Sequence, residues 1–317
     1  MGSPDYLLLG RLALGCGFAF AGGAMSNITS VYGGRATITF HEARHYYTVR
    51  IPGVEDRLYQ PSVTSVIGCL DKSNALVPWA VKCMTARVKE LVGTAETVER
   101  EALLGILDAA QETWRQVKEQ SADVGSLVHR VLEQELLHRA GQASKPALPV
   151  VADPLLAPGL TPLMIEQAND SISAGLRFFD EHHIEVIQAE APRWSPTHGY
   201  IGTGDLIARV DGDLAVLDWK TGKRLYPTVF LQLAAYQKAY EEEFDNHTLT
   251  RRLAVNIGRD GTLSTEERNN DTLEADFSAF LGLLAAWRWN CENQGKYSKP
   301  APRVLGPLPS FSETLRD

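Results

Sequence analysis

Along residues 36–51, β-branched and aromatic positions alternate with polar ones on both sides of His41-Glu42-Ala43-Arg44, the signature of a hairpin. In Pro61-Ser62-Val63-Thr64-Ser65 a serine precedes an apolar turn, which predicts a short capped helix through Leu70. The period then lengthens. Trp79, Val81, Met84 and Val88 recur at helical spacing within residues 75–92, as do Leu103, Leu104, Ile106, Leu107 and Trp114 within 96–118. A third helix is expected at about 122–139. Residues 141–162 are rich in Pro and Ala and lack a period, so they read as a loop, after which helix resumes from about 163 to 182. Three strands follow at 184–190, 204–210 and 214–219, the last two joined by a tight Asp211-Gly212-Asp213 turn. A helix at 228–244, a strand at 252–257 and a helix at 273–290 complete the series. Helices first and then a sheet with helices on it predict one α/β fold: a mixed central sheet flanked by helices, with an N-terminal helical elaboration and a hairpin.

Composition narrows this picture. The chain has 317 residues, 44% hydrophobic and 22% charged, enough for one large core or two small ones. A net charge of −8 argues against a polycation that coats nucleic acid or membrane by charge alone. It leaves open an enzyme that holds a phosphate backbone in a locally basic groove beside metal-binding carboxylates. The cysteines, at 16, 69, 83 and 291, form no C-x-x-C pair, so neither a zinc ribbon nor a disulfide framework is indicated and a cytoplasmic location is expected. Residues 6–25 are apolar and broken by glycine. Ala19-Phe20-Ala21 imitates a signal-cleavage site, but Asp5 stands where a basic flank belongs. The fold is therefore expected to begin near Met25, with residues 1–25 an apolar extension outside it. Residues 299–317 are Pro-rich and read as a loose tail.

The chemistry concentrates in Gly202-Thr203-Gly204-Asp205 and, across the hairpin, Asp218-Trp219-Lys220-Thr221-Gly222. Asp205 is expected to begin one strand and Asp218 to end the next, which brings both carboxylates to one end of the sheet. Period-2 geometry puts Asp218 and Lys220 on one face and Trp219 on the other. Carboxylates supply hard oxygen ligands for Mg²⁺ or Mn²⁺, and a lysine two positions on can neutralise charge on a phosphodiester under attack. D-x-K alone is common on solvated strand ends; its company matters. Gln232 and Tyr236 lie at i and i+4 on one helix face, and Gly125 precedes His129 by four residues inside another helix.

Taken in order, G-x-x-x-H, G-x-x-D, hairpin, D-W-K-T-G and Q-x-x-x-Y resemble the RecB-type branch of the PD-(D/E)xK nuclease superfamily, over roughly residues 129–240. Pro61-Ser62-Val63-Thr64-Ser65-Val66-Ile67 and Leu76-Val77-Pro78-Trp79-Ala80 further resemble the N-terminal parts of phage exonucleases and of a mitochondrial genome maintenance exonuclease. The resemblance implies a restriction-endonuclease-like core and a single nuclease domain over 26–298, with a helical arch at about 75–140 and a catalytic core at about 163–294. It implies His129, Asp205 and Asp218 as metal ligands with the Trp219 carbonyl, Lys220 as the catalytic lysine, and Gln232 and Tyr236 in support. Glu190 is either an additional acidic site residue or a surface salt-bridge partner. The implied activity is Mg²⁺- or Mn²⁺-dependent hydrolysis of DNA, preferring single-stranded ends, in replication, recombination or repair, by a phage-encoded enzyme working with recombination or replication proteins. Lys82, Arg87, Lys89, Lys223 and Arg224 are candidate phosphate contacts, and Trp79 or Trp114 candidate stacking platforms. Each signal is weak alone, since tryptophan at helical spacing is more often core and basic residues are more often an ordinary solvated face. With only Cys291 near the C-terminal end of the core, no iron–sulfur cluster is expected. With no G-x-x-x-x-G-K-[ST], no nucleotide cofactor is expected either. A structure-specific endonuclease on the same site, and a DNA-binding or assembly factor that no longer cleaves, are the alternative readings.

Overall fold

A computed structural model of the chain describes residues 27–41, 46–54, 58–150, 160–245 and 247–293. The expected extension at 1–25, the tail at 299–317 and most of the turn at His41-Glu42-Ala43-Arg44 lie outside the described residues. The N-terminal hairpin is part of a larger unit. Strands β1 (Asn27–Val31), β2 (Ala36–His41), β3 (Tyr46–Arg50) and β4 (Leu58–Gln60) form an antiparallel sheet in sequential order. The periodicity marks β2 and β3 alone, because β1 and β4 are too short to carry an alternation of their own. Helix α1 (Val63–Ile67) starts where expected: the Ser62 hydroxyl accepts the Ser65 N–H at 3.1 Å, satisfying one of the free donors of a helix start.

Helices α2 (Ser73–Val92), α3 (Arg100–Gln111) and α4 (Thr113–Arg139) follow. The periodic run at 96–118 is not one helix, since it breaks at Glu112 and α4 continues to Arg139 without interruption. Burial differs on the two sides of the break: along α4, Val124, Val128, Val131, Leu132 and Leu136 enter the core, whereas α3 buries only Ala110. Helix α5 (Pro162–Glu181) is capped by Thr161, whose hydroxyl accepts the Met164 N–H at 3.3 Å.

The central sheet has five strands in sequential order: β5 (Ile184–Ser195), β6 (Tyr200–Val210), β7 (Asp213–Lys220), β8 (Arg251–Ile257) and β9 (Leu263–Asn269). Helix α6 (Thr228–Glu243) carries the crossover that makes β7 and β8 parallel; the other pairs are antiparallel. Helix α7 (Leu273–Asn293) closes the described chain. Strand β9, Leu-Ser-Thr-Glu-Glu-Arg-Asn, escapes the hydrophobic pattern because it is a polar edge, the composition that protects an edge from unwanted pairing. Alternate residues of the sheet face α4 and α5 through Leu206, Ala208, Ala215, Leu217 and Trp219, and face α1, α6 and α7 through Ile207, Leu214 and Val216. The N-terminal sheet packs on Trp194 and Ile201, at the far ends of β5 and β6.

One irregularity positions everything below. Strands β5 and β6 stay paired out to Ser195 and Tyr200, whereas β6 and β7 separate beyond Leu206 and Leu217. Beyond that point β7 pairs only with β8, as far as Lys220 and Asn256. The sheet thus forks between β6 and β7, at the position where Asp205 and Asp218 would otherwise face each other.

Candidate active site

Asp205 lies within β6 rather than at its start, and Glu190 lies within β5 rather than at its end. The longer strands make them neighbours. Ala189 pairs with Leu206 and Ala191 with Gly204, so Glu190 and Asp205 stand opposite each other across the two strands. Two like charges in that arrangement destabilise a sheet unless a cation lies between them. His129, from α4, reaches the pair: its Nδ1 is 3.5 Å from Asp205 Oδ1 and 3.8 Å from Glu190 Oε1. Ligand atoms of His129, Glu190 and Asp205 all fall within 4.8 Å of one another. An imidazole and two carboxylates at this spacing suit a divalent metal. Burial alone would lower the His129 pKa, but the Asp205 and Glu190 carboxylates push it up to about 10. The metal-free site is therefore closed by an imidazolium, the charge a metal would replace.

Asp205 is held at the fork from its other oxygen. Its Oδ2 accepts the backbone N–H of Trp219 at 2.7 Å, standing in for the ladder bond lost where β6 and β7 part. The Trp219 ring sits on the opposite face, edge-on to Phe178 and Phe179 with centroids 5.5 Å away in both cases. Trp219 thus enters the site through its amide.

Asp218, Lys220, Gln232 and Tyr236 form a chain on the α6 side. The Lys220 ammonium is 2.5 Å from Asp218 Oδ2 and donates to Gln232 Oε1 at 3.3 Å. Gln232 Nε2 donates to Asp218 Oδ1 at 2.8 Å and to the Tyr236 hydroxyl at 2.9 Å. The fully buried Asp218 carboxylate is thus held from both oxygens, by the Lys220 ammonium at Oδ2 and by Gln232 at Oδ1. Burial, with Asp205 adding to it, pushes Asp218 up to about 6, while Lys220 opposes the shift. Burial works against the Lys220 charge, yet Asp218 and Asp205 outweigh it and raise its pKa. Asp218 is turned to the lysine and glutamine, and Glu190 fills the place nearest His129 and Asp205.

The glycines of the motifs have packing reasons. A Cβ on Gly125 would lie 3.3 Å from Thr221 Oγ1, so α4 crosses directly over the residue after Lys220. Cβ atoms on Gly202 and Gly204 would run into the Tyr236 ring and the Arg193 guanidinium. Lys82, Arg87, Lys89 and Trp79 stand on α2, with Arg87 ion-paired to Glu90 at 2.8 Å. Trp114 is on α4, with the Arg115 guanidinium 5.3 Å from its ring centre. Lys223 and Arg224 occupy the loop from β7 to α6, where the Arg224 guanidinium lies 4.9 Å from the Tyr226 ring centre. Glu133 and Arg193 carry no sequence motif. Glu133 is one helical turn beyond His129, a spacing that points it at the same site; burial and the Glu190 carboxylate push it up to about 7. No described helix is long and apolar enough to cross a membrane.

The family model of the PD-(D/E)XK nuclease superfamily matches residues 100–294. Among solved structures, an exonuclease candidate from Eubacterium rectale is 12% identical over 74% of this chain and 94% of its own, with a TM-score of 0.35. The protein SSO0001 is also 12% identical, over 73% of this chain and 100% of its own, with a TM-score of 0.20. No curated protein matches the sequence.

Proposed function

The chain belongs to the PD-(D/E)XK nuclease superfamily, and from that premise we propose that it is a metal-dependent deoxyribonuclease of the RecB-type branch. On this reading it degrades DNA from single-stranded ends in replication, recombination or repair. Members of the superfamily are nucleases, phosphodiester hydrolases that generally use divalent metals. The observation that carries the reading is the meeting of two clusters at one fork in the sheet: His129, Glu190 and Asp205 on one side, and Asp218, Lys220, Gln232 and Tyr236 on the other.

His129, Glu190 and Asp205 would hold the metal, with Asp218 and the Trp219 carbonyl completing its surroundings. A divalent cation bound there supplies an activated water and a Lewis acid for the scissile phosphate. The chain's own residues do the rest. Asp205 is fixed by the Trp219 amide, so its free oxygen is aimed before substrate arrives. Lys220 keeps its proton between Asp218 and Gln232 and places a fixed positive charge beside the phosphate, where negative charge builds during hydrolysis. Gln232, anchored by Tyr236, prevents Asp218 from rotating away.

The test is degradation of single- and double-stranded DNA, labelled at either end, with Mg²⁺, Mn²⁺ or chelator, by the wild type and Lys220→Ala. Metal-dependent loss of the single strand that vanishes in the variant is the expected result. Internal cuts in a circular single strand would assign an endonuclease instead. Binding without cleavage under every metal would leave an assembly factor.

A further inference from the structure

Glu190 has a left-handed backbone, with φ of 44°, although the residues on either side, Ala189 and Ala191, both pair with β6. A residue with a side chain occupies this region only under strain, and something must hold it there. Arg193, three residues on in β5, is the group placed to do so. Its Nη1 donates to the carbonyl of Ala191 at 3.1 Å, and its Nη2 reaches the Gln188 side chain at 3.5 Å. One guanidinium thus touches the strand on both sides of Glu190.

Arg193 is also an expensive residue to keep. It is almost fully buried, makes no ion pair among the described residues and leaves its Nε without a partner. Its room is provided by Gly204, where a Cβ would overlap Nη1, next to Asp205 on the facing strand. Burial makes that charge costly, and the Glu243, Asp205 and Glu190 carboxylates offset it only from beyond ion-pair distance. Its placement makes sense if it shapes the strand around Glu190.

We propose that Arg193 is a positioning residue, clamping β5 around Glu190 so that the left-handed residue turns its carboxylate toward His129 and Asp205. The consequence for metal binding rests on the reading of those three residues as a cation site; the backbone clamp does not. The sign of the effect separates positioning from simple charge. Removing a nearby positive charge tightens binding of a cation, whereas losing a ligand's orientation weakens it.

The experiment uses the intact chain without DNA and measures Mn²⁺ affinity and melting temperature for Arg193→Met, Arg193→Lys, Glu190→Gln, Glu190→Gly, Glu190→Gln/Arg193→Met and Glu190→Gly/Arg193→Met. Arg193→Met and Arg193→Lys are both expected to weaken Mn²⁺ binding by about tenfold, the range set by loss of a partner that orients a ligand. In the wild-type background, Glu190→Gly should melt about 2 °C above Glu190→Gln, since glycine adopts the left-handed backbone freely. In the Arg193→Met background that advantage should disappear, because the strand has already relaxed. Should Arg193→Met not fold, the same cycle is run on Arg193→Lys. Unchanged or tighter Mn²⁺ binding by the arginine variants, or a glycine advantage that persists without Arg193, overturns the proposal. A wild type that binds no Mn²⁺ sinks the cation site, and the melting cycle then decides the clamp by itself.

Discussion

Lys220 and His129 are the two residues whose charge matters most, and they act in opposite senses toward a metal. Lys220 lies on the α6 side, against Asp218 and Gln232, so Lys220→Ala should lower kcat by about 10²–10³, the usual cost of removing one group that meets transition-state charge. Mn²⁺ affinity should be kept or improved, because a cation leaves the neighbourhood; a loss of metal binding would show that the lysine only shapes the site. His129 must give up its proton to become a ligand. With its folded pKa raised to about 10, protonated His129 stabilises the metal-free fold fully below its unfolded value near 6.5, and this stability is lost as pH rises through 10. Metal binding should therefore release about one proton at pH 8 and strengthen up to tenfold per pH unit between about 7 and 10. Calorimetry in two buffers of different ionisation enthalpy measures that release directly, and an absence of proton release would remove His129 from the ligand set. At this scale residue type and spacing were enough to single out Asp205, Asp218, Lys220 and His129, which the fold brings to one fork in the sheet. Arg193 was not readable, because its placement follows from the left-handed backbone at Glu190, which no spacing rule encodes.

Elements meet at the site through glycines, and that is where their packing is least forgiving. Tyr236 of α6 lies flat against Gly202 and Gly204 of β6, with Val63 of α1 closing on Gly202 from beside it. Gly202→Ala would force a Cβ into the Tyr236 ring and to 2.9 Å from Val63 Cγ2, an overpacking worth about 1–3 kcal/mol. Tyr236→Phe keeps the ring and removes only the bond from Gln232, about 0.5–1.5 kcal/mol. Urea denaturation of the two variants should rank them in that order, while activity should fall in both, since each loosens the Gln232 anchor of Asp218. Equal stability would mean that the strand simply shifts to accommodate the methyl group. The strands and helices that frame this contact were legible because they are long and periodic. Strand β9 was hidden by its polar edge, and the break at Glu112 by apolar spacing that continues across it.

Across the whole molecule, stability is unevenly shared, and the proposed entry for single-stranded DNA falls on the weakly held part. Helix α2 buries none of its residues and leaves Leu76, Val77 and Val81 exposed; among the described residues it packs chiefly on its helical neighbours α3 and α4. Pro78, inside α2, also removes one of its hydrogen bonds. By contrast, β6, β7 and β8 are covered on both faces. Backbone amides of residues 73–111 should thus exchange with solvent through local opening, by at least about 10³ faster than those of the central strands, which open only on global unfolding. The arch reading makes a second, sharper demand on the same amides. Lys82, Arg87 and Lys89 on α2, and Lys223 and Arg224 after β7, would track a phosphate backbone while Trp79 stacks a base. A single-stranded oligonucleotide added with Mg²⁺ to the Lys220→Ala variant should then slow exchange in α2 and in the loop from β7 to α6. The exposed face of α5 should be unaffected, and a blunt duplex of the same length should protect α2 less. Protection confined to the fork residues, or equal with single and double strands, would mean that α2 and α3 do not select the substrate and that their apolar face serves something other than DNA.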